Sequence, residues 1–208
     1  MTVPATPGPP LSPATLAGRH VRLVPLAPGH VDALAVAGSD PELWRLTVSD
    51  ASTPERMRRY VDQALHEAAA GTALPFVTTL AEDGTVVGST RLANYAAAHR
   101  RIEIGWTWVA RPWQRTAVNT EAKLLLLSHA FDTLGCRRVE LKTDALNDRS
   151  RAAILRLGAR EEGVLRQHTV TEQGRVRDTV YFGIVADEWP AVRRGLQARL
   201  ARHGTPPG

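Results

Sequence analysis

Residues 114–120 read Gln-Arg-Thr-Ala-Val-Asn-Thr, after an alternating apolar run and before a stretch rich in Ala and Leu. A strand that ends at Val109 and a helix that opens near Val118 leave several backbone N–H groups unpaired at the positive end of a helix, where a pyrophosphate can sit. Such an end favours a negative charge by about 0.3–1 kcal/mol when exposed and up to about 2 when partly buried. Gln114, Arg115, Thr116, Ala117, Val118, Asn119 and Thr120 are therefore the candidate anion-binding segment. Asn147-Asp148-Arg149-Ser150 has the spacing of a helix N-cap and its reciprocal partner three residues on. Glu103, Glu161, Glu162 and Asp178 offer carboxylates for proton transfer, and because Glu161 and Glu162 are adjacent on a strand, only one can aim at a given cleft. The single cysteine, Cys136, sits at a helix-to-strand turn with no neighbouring base and reads as a buried structural thiol. The seven histidines show no metal-ligand spacing, so no metal is expected, and His168 is the one close to the acidic pair.

The elements that must position these groups follow from punctuation and period. His20–Leu26 alternates as a strand, and 30–37 suits a short helix. Thr53-Pro54-Glu55 is a helix start, followed by Met57, Val61, Ala64, Leu65 and Ala68 at helical spacing and a stop at Gly71. LPFVTTL (74–80) and TVVGSTRL (85–92) flank Glu82-Asp83-Gly84, which has the chemistry of a tight hairpin. RIEIGWTWV (101–109) is a stronger strand, with Trp106 and Trp108 on one face, and Arg111-Pro112 ends its ladder. A helix is expected from Asn119 to Leu134 with Gly135 as its C′ residue. A strand at 137–144, a helix from Asn147 to Gly158, a second hairpin around Gln173-Gly174 and a last helix from Asp187 complete the order. Val192, Leu196 and Leu200 lie four apart on that last helix.

One α/β domain, mixed as α+β, is the fold expected for 208 residues without internal repeat or linker. The proline-rich residues 1–17 read as a flexible or draped tail, and 18–203 as the domain. No apolar run approaches the roughly 18 residues of a membrane span, and the start lacks the basic and apolar blocks of a secretory signal. With one cysteine there is no disulfide framework, and a cytoplasmic location is expected. The net charge of +5 is almost all arginine, since Lys123 and Lys142 are the only lysines. The arginines are scattered and no recognition motif accompanies them, so nucleic acid is not the expected partner.

This order, with EIGWTWVARPWQRTAVNTEA (103–122), TDALNDRSRAAILRLGA (143–159), EEGVLR (161–166) and RDTVYF (177–182), resembles the GNAT N-acetyltransferase superfamily. Within it the chain resembles the ribosomal-protein N-acetyltransferase-like, or RimJ/RimL-like, branch, over roughly residues 17–190. The resemblance implies a central mixed, mostly antiparallel sheet flanked by helices, and acetyl-CoA as cofactor. It implies a pyrophosphate on residues 114–120, where the family reads Gln/Arg-x-x-Gly-x-Gly/Ala; here the glutamine is kept and Ala117 and Asn119 replace the small positions. It also implies a strand bulge leaving backbone near Trp108 and Val109 for the pantetheine arm, with Asn147 on that arm and Ser150 near the sulfur.

The implied activity is transfer of an acetyl group to a primary amine, a protein N-terminal α-amine or a small-molecule amine, by direct attack in a ternary complex. The amine must be neutral: an α-amine costs about 1.4 kcal/mol to deprotonate at pH 7 and a lysine nearly 5. The resemblance places Glu162 as base and Ser150 as donor to the departing thiolate, with Glu103 as rival base and Glu103, Trp106 and Asp178 lining the amine pocket. Glu121 is read as favouring its helix N-terminus. The resemblance further implies a homodimer, for which Val192, Leu196 and Leu200 offer an apolar stripe. A non-catalytic acyl-CoA-binding module of the same fold is the alternative, motivated by the missing loop glycines.

Overall fold

Strand pairing turns the alternating segments into one eight-stranded sheet. The computed structural model describes residues 6–203. The strands are β1 (Leu16–Ala17), β2 (Val21–Pro25), β3 (Leu74–Leu80), β4 (Val86–Ala96), β5 (Arg101–Val109), β6 (Arg138–Asp144), β7 (Arg160–Val170) and β8 (Val176–Val185), and the helices are α1 (Val31–Ala37), α2 (Pro54–Ala69), α3 (Ala117–Ser128), α4 (Asp148–Leu157) and α5 (Trp189–His203). The order across the sheet is β1-β2-β3-β4-β5-β6-β8-β7. Every pairing is antiparallel except β5 with β6, which the α3 crossover makes parallel.

Each face of the sheet buries its own core. On one side Leu23, Ile102, Ile104, Leu141, Phe182 and Ile184 pack under α3, α4 and α5, with Leu126, Ile154 and Leu196 from those helices. On the other, Val77 and Trp108 pack under α1 and α2 with Leu34, Met57 and Val61. Both caps of α2 follow the sequence: Thr53 Oγ1 accepts from Arg56 N at 3.3 Å, and Gly71 adopts φ +70° just beyond its end.

Three boundaries differ from expectation. Helix α3 opens at Ala117, not Asn119, because Thr116 takes the cap and accepts from Val118 N at 3.3 Å. It ends at Ser128 and gives way to a wider π turn over His129–Thr133 before Gly135. The last helix begins at Trp189, after a 3-10 turn in which Glu188, not Asp187, accepts from Val185 N at 3.0 Å. Its apolar stripe is also spent differently: Val192 and Leu196 are buried in the main core under this chain's own sheet. Leu200, the third member, is half-buried.

The described part of the N-terminal tail is draped along the domain, with Gly8 N donating to Ala97 O at 2.9 Å and Tyr95 Oη to Pro9 O at 2.8 Å. Residues 1–5 lie outside the described residues. Glu121 joins the entry to β2 to α3: its carboxylate accepts from the backbone N–H groups of Arg19, His20 and Val21 at 2.9, 2.6 and 2.8 Å. This is a long-range clasp, and a different role from the local helix-end effect expected.

Candidate active site

At the N-terminus of α3, Arg115 carries the left-handed turn into the helix, with φ +64°. A cavity of about 410 Å³ opens beside it, lined by Arg115, Thr116, Thr120, Arg156, Arg199 and Arg202. Among the described residues none of these arginines has an acid partner. Four guanidinium groups converge with the free N–H groups of a helix end, an arrangement that calls for a polyanion. Arg156 comes from α4, and Arg199 and Arg202 from α5, so the site exists only because α5 docks against α3. Sequence reasoning missed these three. The i,i+3 spacing of Arg199 and Arg202 was visible, but the end of α3 they would face was not.

Gln114 is used internally: Nε2 donates to Val109 O at 2.9 Å, and Oε1 accepts from Arg149. It fixes the end of β5 to α4, so its side chain is not aimed at a ligand. Ala117 and Val118 are buried, and Asn119 and Thr120 are half-buried in the first turn of the helix.

Ahead of α3 in the chain, the sheet opens. Pairing of β5 with β6 stops at Glu103 opposite Glu140, although β5 runs on to Val109 and β6 to Asp144. From Ile104 onward the β6-facing edge of β5 lacks a strand partner, which makes a wedge lined with backbone hydrogen-bonding groups. The expected bulge is present but lies earlier than Trp108 and Val109: register shifts between Ser89 and Arg91, and Trp106 takes φ +50°. Trp106 and Trp108 both turn to the α1/α2 side, as alternation plus the bulge requires. Trp108 is buried, with its ring 5.3 Å from that of Trp44, and Trp106 is half-buried with the Arg91 guanidinium 5.1 Å from its ring.

The polar face of β5, β6 and β8 floors the wedge. Glu103, only 5% exposed, accepts from Asn94 Nδ2 at 2.8 Å and pairs with Lys142 Nζ at 2.7 Å. Burial pulls the Lys142 ammonium down, but Glu103 and Tyr181 outweigh it and leave its pKa raised. Glu103 is thus committed to Lys142 and Asn94. Asp144 is bound by Arg175 and accepts from Leu146 N at 2.9 Å. On the same face His168 Nδ1 lies 3.1 Å from Thr179 Oγ1, with its ring edge-on to Tyr181.

Asn147 caps α4 as expected, its Oδ1 accepting from Ser150 N at 3.0 Å. The reciprocal half of the box is absent, because Asn147 N donates to Asp144 O at 3.0 Å instead. The Ser150 hydroxyl therefore makes no hydrogen bond among the described residues and is free for a ligand.

Two expected acids lie elsewhere. Glu162 presents both carboxylate oxygens to Arg138, and this contact, more than its partial burial, holds its pKa below the usual carboxylate value. The pair lies over Gly183, opposite Glu140, where β5 and β6 are still joined. Ser150 follows the other end of β6, and the four residues from Glu140 to Asp144 alone span roughly 13 Å. The structure does not bring Glu162 and Ser150 together. Asp178 alternates onto the face opposite Thr179, and its Oδ1 accepts from Gln167 N at 2.6 Å. It holds the β7 bulge, where Gln167 takes φ +48°, and does not line the wedge with Glu103.

Among the described residues no cluster of His, Cys, Asp and Glu could hold a metal, and no helix is long and apolar enough to cross a membrane. Cys136 is buried, and burial pushes its thiol up to about 11.

Comparison with known proteins points the same way. Residues 20–160 match the acetyltransferase (GNAT) domain family. The chain is 31% identical over 151 residues to the Bacillus subtilis (strain 168) protein named "Putative ribosomal N-acetyltransferase YdaF", covering 73% of this chain and 74% of that one. A GCN5-related N-acetyltransferase from Brucella melitensis superposes with a TM-score of 0.88 at 32% identity, over 97% of this chain and 91% of its own. Mycobacterium smegmatis RimJ, solved in complex with CoA-disulfide, gives 0.73 at 27% identity over 94% and 95%.

Proposed function

The chain belongs to the GNAT acetyltransferase family, in its RimJ/RimL-like branch, and on that premise we propose that it transfers an acetyl group from acetyl-CoA to a primary amine by direct attack in a ternary complex. One observation carries the reading: four arginines line a cavity at the N-terminus of α3, the helix that follows the open end of β5 in the chain. A coenzyme A molecule laid from that cavity to the wedge has its phosphates on Arg115, Arg156, Arg199, Arg202 and the first-turn N–H groups of residues 116–120. Its pantetheine arm pairs with the open edge of β5 toward Trp108 and Val109, and its sulfur comes toward Asn147 and Ser150. The RimJ structure with CoA-disulfide supports a coenzyme A site in this branch.

The reaction then asks for little beyond positioning. The amine nitrogen attacks the thioester carbonyl, the C–N bond forms as the C–S bond breaks, and a backbone N–H of the β5 edge stabilises the oxyanion. The amine loses a proton, and the thiolate gains one from the Ser150 hydroxyl or solvent. With Glu162 on Arg138 and Glu103 on Lys142, the side chain left to accept the amine proton on the wedge face is His168. Asp178, by holding the bulge at Gln167, turns His168 toward that face. The lone buried thiol fits a cytoplasmic setting.

A thiol-release assay with acetyl-CoA over a panel of primary amines tests the proposal. Amine-dependent release with formation of the N-acetyl product is expected. Tight binding of acetyl-CoA with no release under any amine would favour the alternative, a non-catalytic acyl-CoA-binding module.

A further inference from the structure

Arg177 is the group on the wedge face that the reaction above does not use. It lies on β8, is 7% exposed, and its Nε has no hydrogen-bond partner. Among the described residues no hydrogen bond or ion pair reaches any part of its guanidinium. The nearby acids are already committed, Asp144 to Arg175 and Glu103 to Lys142. Around Arg177, then, Lys142 and Arg175 each already hold one of the two acids that attract it, Glu103 and Asp144. Burial pulls Arg177 below its ordinary range while Asp144 and Glu103 pull the other way. A guanidinium has five donors in a fixed fork, and here the Nε donor is buried without an acceptor while no protein group takes the terminal N–H donors. A mostly buried guanidinium with no protein acceptor, beside an acetyl-transfer wedge, complements one incoming carboxylate.

We infer that Arg177 binds a carboxylate carried by the amine acceptor, so that the acceptor is of the amino-acid class. The inference rests on the transfer reading above and narrows its substrate. In an α-amino acid the carboxylate and the amine share one carbon, so holding the first on Arg177 orients the second. Arg175 keeps Asp144 neutralised, so the incoming carboxylate meets no free acid on this face.

The test pairs each of the twenty proteinogenic L-amino acids with its carboxamide, using full-length protein and acetyl-CoA. At least one amino acid should be acetylated with a kcat/KM roughly 10²-fold above that of its amide, the usual size of discrimination when a buried charged group is left unpaired. Arg177→Met should lose most of that factor on the acid and change the amide by less than about threefold. Arg177→Lys, which keeps the charge but not the fork, should recover only part. In parallel, the same amino acid should raise the melting temperature of the wild type and not of Arg177→Met. If Arg177→Met fails to fold, Arg177→Lys carries the comparison.

Equal rates on acid and amide, with Arg177→Met unchanged, would overturn the inference and leave the transfer reading standing. A preference for succinyl-CoA over acetyl-CoA that Arg177→Met abolishes would also overturn it, by placing the carboxylate on the acyl group. Stabilisation of wild type but not of Arg177→Met by an amino acid, without thiol release under any amine, would support the site and sink the transfer reading.

Discussion

Glu162 and Arg138 form a two-pronged ion pair over Gly183, and the pair lies at the joined end of β5 and β6 while Ser150 lies past the open end. The Glu162 carboxylate thus serves to tie β7 across β8 to β6. Glu162→Gln should leave kcat within about threefold of wild type, far from the 10²–10⁴-fold loss typical of removing a general base. Its effect should appear in stability. The folded pKa is depressed, so the contribution is present above the unfolded value near 4.5 and is lost as pH falls through the folded one. Because both partners are partly exposed, the difference should be about 0.5–1 kcal/mol at pH 7 and vanish in acid, read from urea melts at pH 7 and pH 3.

Lys123 gives the opposite pH signature. It is buried on α3, Nζ donates to Thr107 Oγ1 at 2.6 Å, and burial lowers its pKa to about 7. Between that value and the unfolded one near 10.4 the unfolded chain holds the extra proton, so stability rises with pH across this window. Lys123→Met should flatten the slope and be the more stable protein at pH 7, by an amount of the order of 4 kcal/mol that shrinks toward pH 10. Denaturant melts at four pH values check it.

Glu121 should behave as a structural clasp. Glu121→Ala removes the acceptor of three backbone N–H groups at Arg19, His20 and Val21, and should cost about 3 kcal/mol or more. Gly18→Ala should be destabilising too, because a Cβ there would strike the same carboxylate. Chemical denaturation of both variants against wild type is the measurement.

The elements and their order were legible because period and punctuation are local properties. Residues 101–109 became β5 without change, and Thr53, Asn147 and Gly158 cap as their types require. What was not legible depends on packing between distant segments. Thr116 wins the α3 cap from Asn119 because Arg115 takes the left-handed turn one step before it. The resemblance names Glu162 as base, and its tie to Arg138 is hidden from local reading because Arg138 lies 24 residues away on a strand two places across the sheet. Arg156, Arg199 and Arg202 look like ordinary surface cations until α4 and α5 bring them to the end of α3. Arg177 carried a readable trace: alternation puts it with Thr179 and Tyr181 on one face. Its lack of a partner could be seen only in three dimensions.

His168 should matter to turnover as the acceptor of the amine proton. His168→Ala should lower kcat/KM by roughly 10²-fold near neutral pH, within the range for a general base, while leaving acetyl-CoA affinity unchanged. The loss should narrow as pH rises, because the amine then arrives neutral. Asp178→Asn, which weakens the bulge that orients His168, should give a smaller loss with the same pH trend. An Asp178→Asn protein with unaltered kcat would separate the bulge from the chemistry.

The placement of coenzyme A between the arginine cavity and the wedge is tested most directly by a crystal structure of the acetyl-CoA complex. The expected result has the pyrophosphate on the backbone of residues 115–120, at least two of Arg115, Arg156, Arg199 and Arg202 within hydrogen-bond distance of phosphate oxygens, and the thioester in the opening between β5 and β6. Phosphates more than one helical turn from the N-terminus of α3, or a thioester outside that opening, would contradict it.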